Sequence, residues 1–227
     1  MRVAVVTALF NPKLEWLKRC CDSVRAQSHP CTQILVSDGS GENPLDDFSG
    51  QFIRLYQNHN DWGDTPRTIG AISAGAQGYD GILWLDQDNW MYPDHVSSLV
   101  ALHRQTGKPI CTTSRDIYHL NGRLLGACKE TDGVRFVDAN CFFVTRAAYG
   151  MLAVWSLMPK AWHICSDMYF FAQVKKHGIE TAHQACSTMG YTATRSHTYR
   201  LFGVEPPPGV KDSAEIVRFL REQGAIR

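Results

Sequence analysis

The sequence carries no excess of charge of either sign: 23 Lys and Arg stand against 22 Asp and Glu in 227 residues, a formal net charge of +1. A chain that grips a polyanion through bulk electrostatics needs a basic surplus, so nucleic acid is excluded as the expected partner. No segment reaches the ~18 consecutive apolar residues that span a bilayer, and any membrane contact is expected to be peripheral. The opening MRVAVVTALFNP is too short an apolar run for a secretory leader and lacks a small-residue cleavage site, so the expected location is cytoplasmic, at most at a membrane surface. The eight cysteines include no C-x-x-C pair, which is wrong for a zinc finger or ribbon and is read as reduced thiols. Absent too are G-x-x-x-x-G-K-[ST], a G-x-G-x-x-G after the first strand and H-E-x-x-H, which removes P-loop ATPase, dinucleotide enzyme and zinc protease.

What is present is a globular composition, 44% hydrophobic and 20% charged, with strands and helices alternating in the first half. Runs at Val3–Val6, Ile34–Val36, Phe52–Tyr56 and Gly81–Leu85 read as strands, the last apolar enough to be central. Between them, a helix with Asn11 as N-cap and Pro12 in its first turn buries Leu14, Leu17, Cys21 and Val24. A second, opened by Pro66, turns Ile69, Ile72 and Ala76 inward, and a third follows Pro93. From residue 110 short runs at Ile110–Thr113, Arg123–Gly126, Val134–Val137 and Cys141–Thr145, with Asn-Gly and Asp-Gly turns, read as antiparallel additions. A helix over Ser166–His177, the spacer Pro206–Pro208 and a last helix capped by Asp212 or Ser213 complete the chain.

The polar residues fall where such a fold binds ligands. Thr7 to Asn11, Asp38 to Ser40 and Asp86 to Asp88 each follow a predicted strand, and the C-terminal ends of parallel strands share one edge. Taken singly, Asn11 could merely cap a helix and Asp38 merely form an Asx turn; the coincidence of three clusters argues for a site. Asp86 and Asp88 are two apart, so an extended backbone presents both carboxylates to one target. Paired oxygen ligands favour a hard cation, Mn2+ or Mg2+, whose shell is commonly completed by phosphate oxygens. Gly63 to Arg67 opens a helix with a cation in its first turn, which an anion there would offset.

These residues resemble the GT-A glycosyltransferases, and within them family 2. VVTALFNPKLEWLKRCCDSVRAQSHPCTQILVSDGSG is similar to the family's first strand, helix and second strand, and ILWLDQDNWMYPDHV to its Asp-x-Asp strand and the helix after it. The resemblance implies an α/β fold, a mixed GT-A sheet mostly parallel in its N-terminal half with antiparallel additions in its C-terminal half. It implies one domain over 1–204, with 1–109 binding nucleotide and 110–204 binding acceptor, followed by the spacer and helix 205–227. The implied reaction is inverting, non-processive transfer of a sugar from a nucleoside diphosphate donor, UDP-type favoured, to a hydroxyl acceptor such as a glycan.

By position, Thr7, Ala8, Asn11, Asp38, Gly63, Arg67, Asp86 and Gln87 are implied to hold the nucleotide. Asp88, with Asp86 and His197, is implied to hold Mn2+ or Mg2+. Asp167 is the implied catalytic base, although Ser166 stands where the family usually has Glu. Trp162 and His163 are the expected acceptor contacts, and Trp155 is expected to fill the core. Two other functions fit part of the pattern. One is a metal-dependent phosphohydrolase with Asp86 as nucleophile; the other is a non-catalytic nucleotide-sugar-binding or scaffold protein, with 205–227 as an association element that also allows a homo-oligomer.

Overall fold

The computed structural model describes residues 1–43 and 45–224; Pro44 and the last three positions of the expected C-terminal element lie outside the described residues. The first half is built from β1 (Val3–Leu9), α1 (Leu14–Arg25), β2 (Cys31–Asp38), β3 (Gln51–Leu55), α2 (Asp64–Ala76), β4 (Gly81–Trp84), β5 (Trp90–Met91) and α3 (His95–Thr106). The second half adds β6 (Ile110–Tyr118), β7 (Leu124–Ala127), β8 (Phe142–Thr145), α4 (Val154–Leu157), α5 (Ser166–Lys176), β9 (Thr181–Thr192), α6 (Ser196–Arg200) and α7 (Ala214–Glu222). Among the described residues the strands form one sheet in the order β3-β2-β1-β4-β8-β6-β9-β5, with β7 paired to β6.

The four strands β3-β2-β1-β4 are parallel. Antiparallel pairing enters at β8, between β4 and β6, and recurs at β7 with β6 and β5 with β9. One long strand departs from the sequence reading. β9 runs parallel to β6 with two register shifts, and its opening TAHQACST mixes small and hydrophilic residues with no apolar period to announce it. Conversely, Val134–Val137 forms no strand, because the Asp132 carboxylate collects the N–H groups of Val134, Arg135 and Phe136 at 2.9, 2.7 and 3.2 Å and curls the segment into a loop.

One helix departs in part from its expected face, and another wholly. Asn11 sits in the left-handed region at φ 42, so α1 begins only at Leu14 with Lys13 before it, and Leu14 is exposed while Leu17, Cys20, Cys21 and Val24 are buried. In α2 the inward face is small: Gly70, Ala71 and Ala74 are buried, whereas Ile72 is half-exposed. A Cβ on Gly70 would lie 2.5 Å from Val6 Cγ1 and 2.9 Å from Val36 Cγ2, so only glycine lets this helix lie directly on β1 and β2. That close approach fixes where the N-terminus of α2 meets the sheet edge.

The core under β4 is aromatic. Trp84 packs edge-on against Trp155 and Phe170, and Trp155 stacks on Phe170 with centroids 4.5 Å apart, so Trp155 is core filling. All eight cysteines are free. After the Pro206–Pro208 run the chain returns along residues 194–197: Lys211 N donates to Thr194 O and Ser196 N to Lys211 O, each at 2.9 Å. Leu220 of α7 is buried and Phe219 packs edge-on against Trp162 at 5.1 Å, so the described part of the C-terminal segment lies on the body of the fold. Among the described residues no helix is long and apolar enough to cross a membrane.

Candidate active site

At the C-terminal edge of the parallel strands lies a cleft of about 460 Å³ whose lining includes Ala8, Asp38, Gly63, Asp86, Asp88 and Asp167. That volume is in the range of small-molecule sites, and the position is where open α/β sheets bind ligands. Arg67, Gln87 and His163 also reach it. The loop feeding α2 supplies part of the lining. Asp61 accepts the N–H groups of Gly63, Asp64 and Thr65 at 3.2, 3.1 and 2.9 Å, and so closes the amino end of the helix with its own carboxylate. Gly63 at φ 90 makes the turn, with space for no more than 3.2 Å between an added Cβ and Ala8 Cβ.

Arg67 is therefore a structural clamp within the cleft. Its guanidinium donates to Asp64 Oδ1 at 2.9 Å, to Trp62 O at 3.1 Å and to Asp86 Oδ1 at 2.5 Å. Burial disfavours that charge, but Asp86 and Asp64 outweigh it and raise the Arg67 pKa. Burial likewise pushes Asp86 up, yet the Arg67 charge and the hydrogen bonds from Arg67 and Asn140 hold it below the usual carboxylate range. Asn140 Nδ2 donates to Asp86 Oδ2 at 2.8 Å and its Oδ1 accepts Asp86 N at 2.6 Å. Both oxygens of Asp86 are thus engaged by protein. Asp64, fully buried, is raised by burial against the pull of Arg67 and His163, and its Oδ2 pairs with His163 Nδ1 at 2.7 Å.

Asp88 contrasts with Asp86. Its backbone carbonyl accepts from Arg19 at 2.7 Å and from Thr192 Oγ1 at 2.5 Å, which fixes the loop, while its carboxylate takes no side-chain hydrogen bond among the described residues. Burial and the neighbouring Asp86 charge push that carboxyl up to about 7. A half-buried acid with free oxygens beside a second acid suits a hard divalent cation, which would neutralise it with water and ligand oxygens completing the shell. Among the described residues no group of three or more His, Cys, Asp and Glu side chains converges as a metal cage. The donor set here fits an ion held chiefly by Asp88.

Asp167, also on the lining, lies in the first turn of α5, with Met168 N donating to its Oδ1 at 2.8 Å. Burial, followed by the Asp138 charge, raises its pKa to about 7 despite Arg115 and Arg67. Asp138 is itself ion-paired with the buried Arg115 and caps Asn140 N at 3.0 Å, so the groups behind Asp167 are locked. An acid poised near neutrality in a cleft is a competent proton acceptor.

Four sequence-predicted residues lie away from the cleft lining. The first strand extends to Leu9, which puts Thr7 inside the sheet, fully buried, its Oγ1 accepting from Gln33 at 3.0 Å. Asn11 is exposed on the loop beyond. Trp162 packs between Tyr169 and Phe219. His197 pairs through Nε2 with Glu130 at 3.2 Å and is not brought to Asp86 and Asp88. Of the residues in the cleft, Gln87 uses its amide on Phe10 N and O at 3.0 and 3.1 Å, and Asp38 is held by His59 Nδ1 at 2.5 Å, so both first serve to shape the wall.

Sequence reasoning missed Asp61, Asp64, Asp138, Asn140, Arg195 and Lys211. The Asp61-Trp62-Gly63-Asp64 run, with acid, glycine and acid ahead of Pro66, was a readable capping signal; Asn140 and Lys211 carry none, since tertiary folding alone brings them here.

Comparison with known proteins identifies the family and the fold. The family model described as Glycosyl transferase family 2 matches residues 4–162. Among solved structures, S. aureus TarS 1-349 in complex with UDP superposes with a TM-score of 0.66 at 15% identity, covering 100% of this chain and 72% of that one. S. aureus TarS 1-349 alone gives 0.63 at 14% identity, over 88% of this chain and 63% of that one. Its complex with UDP-GlcNAc gives 0.64 at 13% identity, over 85% and 58%. This chain thus spans about 63% of TarS 1-349 as solved alone, and the likeness establishes the GT-A architecture. Curated proteins provide no match. With the matched segment running from the first strand through the wall that carries His163's neighbour Trp162, the chain belongs to glycosyl transferase family 2.

Proposed function

We propose that the chain transfers a sugar from a nucleoside diphosphate donor, UDP-type, to a hydroxyl group of a glycan-class acceptor, with inversion at the anomeric carbon. The observation that carries this reading is the convergence of Asp38, Asp88 and Asp167 on one cleft, with both oxygens of Asp86 engaged by Arg67 and Asn140. An Asp86 so committed is a poor nucleophile, which disfavours the phosphohydrolase alternative. UDP and UDP-GlcNAc are bound in the S. aureus TarS structures of the same fold, which supports the donor class.

In this reading Asp38 with Ala8 and Gly63 lines the nucleotide end of the cleft. Asp167, ionised, takes the acceptor hydroxyl proton as the hydroxyl oxygen forms its bond to the anomeric carbon and the bond to the diphosphate oxygen breaks. A positioned base contributes about 10²–10⁴-fold. His163, whose Nδ1 pairs with Asp64, lines the same cleft and would contact the acceptor there. Mn2+ or Mg2+ on Asp88 would supply Lewis-acid neutralisation of the leaving diphosphate. Asp86, held by Arg67 and Asn140, keeps the Asp88 loop in register.

The test is turnover of a panel of UDP-sugars with glycan acceptors, followed by UDP release, with and without EDTA. Asp167→Asn is expected to keep UDP affinity and to lose about 10²–10⁴-fold in turnover. Retained turnover in that variant would remove Asp167 from the reaction, and full activity in EDTA would remove the ion.

A further inference from the structure

A diphosphate brings about two negative charges into a cleft whose other ionisable groups are chiefly acids, so the source of compensating cations matters. Arg67 is already divided between Asp64 and Asp86. The amino end of α2 is occupied by the Asp61 carboxylate, which takes the N–H groups of Asp64, Thr65 and the preceding Gly63. Two cations remain on the lining, Arg195 and Lys211, and neither forms an ion pair with a carboxylate among the described residues. Both instead lie over the same ring, Arg195 Cζ 4.8 Å and Lys211 Nζ 5.0 Å from the Trp62 centroid.

That ring is placed with effort. Trp62 has φ 62, a left-handed conformation unusual for a bulky residue, and its neighbours Asp61 and Gly63 hold it there while its side chain stays half-exposed at the cleft rim. Lys211 arrives from beyond the Pro206–Pro208 run, and a parallel bridge to Arg195 sets its register. Two like charges gathered about one ring repel each other, and an anion bound by both relieves that repulsion.

We infer that the C-terminal segment completes the donor site: Lys211, paired with Arg195 on the Trp62 platform, binds the diphosphate of the nucleotide from the side opposite Asp88. This rests on the nucleotide-donor reading above. It turns residues 205–213 from a spacer into part of the binding machinery, and makes diphosphate affinity depend on an ammonium group far from the Asp-x-Asp loop in sequence.

The experiment is calorimetric titration of the full chain with UDP, GDP, CDP, ADP and TDP, then with the nucleoside of the tightest binder, in the wild type, Lys211→Met and Lys211→Arg. Lys211→Met keeps the exposed stem and removes the charge. It is expected to weaken the diphosphate about ten- to a hundredfold, the loss of one charge-assisted hydrogen bond, and to leave nucleoside affinity unchanged. Lys211→Arg is expected to restore most of the loss. Equal diphosphate affinity in Lys211→Met and the wild type would overturn the assignment while leaving the donor reading intact. If the wild type binds none of the five diphosphates, the donor reading itself fails, and this inference with it.

Discussion

Replacing Arg67 by Met should test whether the cleft is held together by charge. The guanidinium joins Asp64, fully buried, to Asp86, whose side chain is 27% exposed, and so ties the start of α2 to the end of β4. Removing one partner of a buried pair typically costs about 3–5 kcal/mol, because the remaining charge is left uncompensated. Asp64 keeps its bond to His163, which limits the loss, and we take about 4 kcal/mol as the expected value. With a urea m-value of about 3 kcal/mol/M, that moves the midpoint down by about 1.3 M.

The pH dependence gives the sign. In the wild type Asp86 is held low by Arg67, so its contribution is fully present above the unfolded pKa and is lost as pH falls through the folded one. In Arg67→Met Asp86 rises above its unfolded value and Asp64, already raised by burial, rises further, so the native state binds more protons and stability falls as pH increases. The gap between variant and wild type should thus be wider at pH 8 than at pH 5. Arg67→Lys should lie between them, since an ammonium cannot span both acids. A midpoint shift below about 0.3 M, or a gap that ignores pH, would refute the clamp.

Other expectations follow from the same geometry. If Asp167 is the base, the rate should rise with pH through about 7, because only the ionised form accepts a proton, and the limb should vanish in Asp167→Asn; a pH-independent rate would contradict it. Asn140→Ala removes the amide from between Asp86 and Asp138 and should destabilise the fold by about 1.5–3 kcal/mol in urea, whereas an unchanged midpoint would show those bonds to be incidental. Gly70→Val would drive a branched side chain into Val6 and Val36, with a loss of about 1–3 kcal/mol and a lower Tm; an unchanged Tm would mean α2 can shift freely.

The parallel half of the sheet was legible because its strands are short apolar runs, and because Asp38 and Asp86–Asp88 mark their ends. Thr7 was misplaced for a local reason: β1 continues three residues past Val6, and strand alternation then turns Thr7 inward. The inward face of α2 was misread because hydrophobicity favours Ile72, whereas close approach to the sheet selects Gly70 and Ala74. β9 escaped notice because its pairing with β6, not its own composition, makes it a strand. In the cleft, the acids were visible but not their partners. Arg67 was expected to face an anion, and its partners are the chain's own Asp64 and Asp86.

The most direct test of the central claim is a crystal structure of the full chain grown with Mn2+ and UDP. An anomalous manganese peak is expected on the Asp88 carboxylate, with the diphosphate in the same cleft between Asp88 and Trp62. Nucleotide bound elsewhere, or Asp88 turned away to solvent with no metal on it, would contradict it.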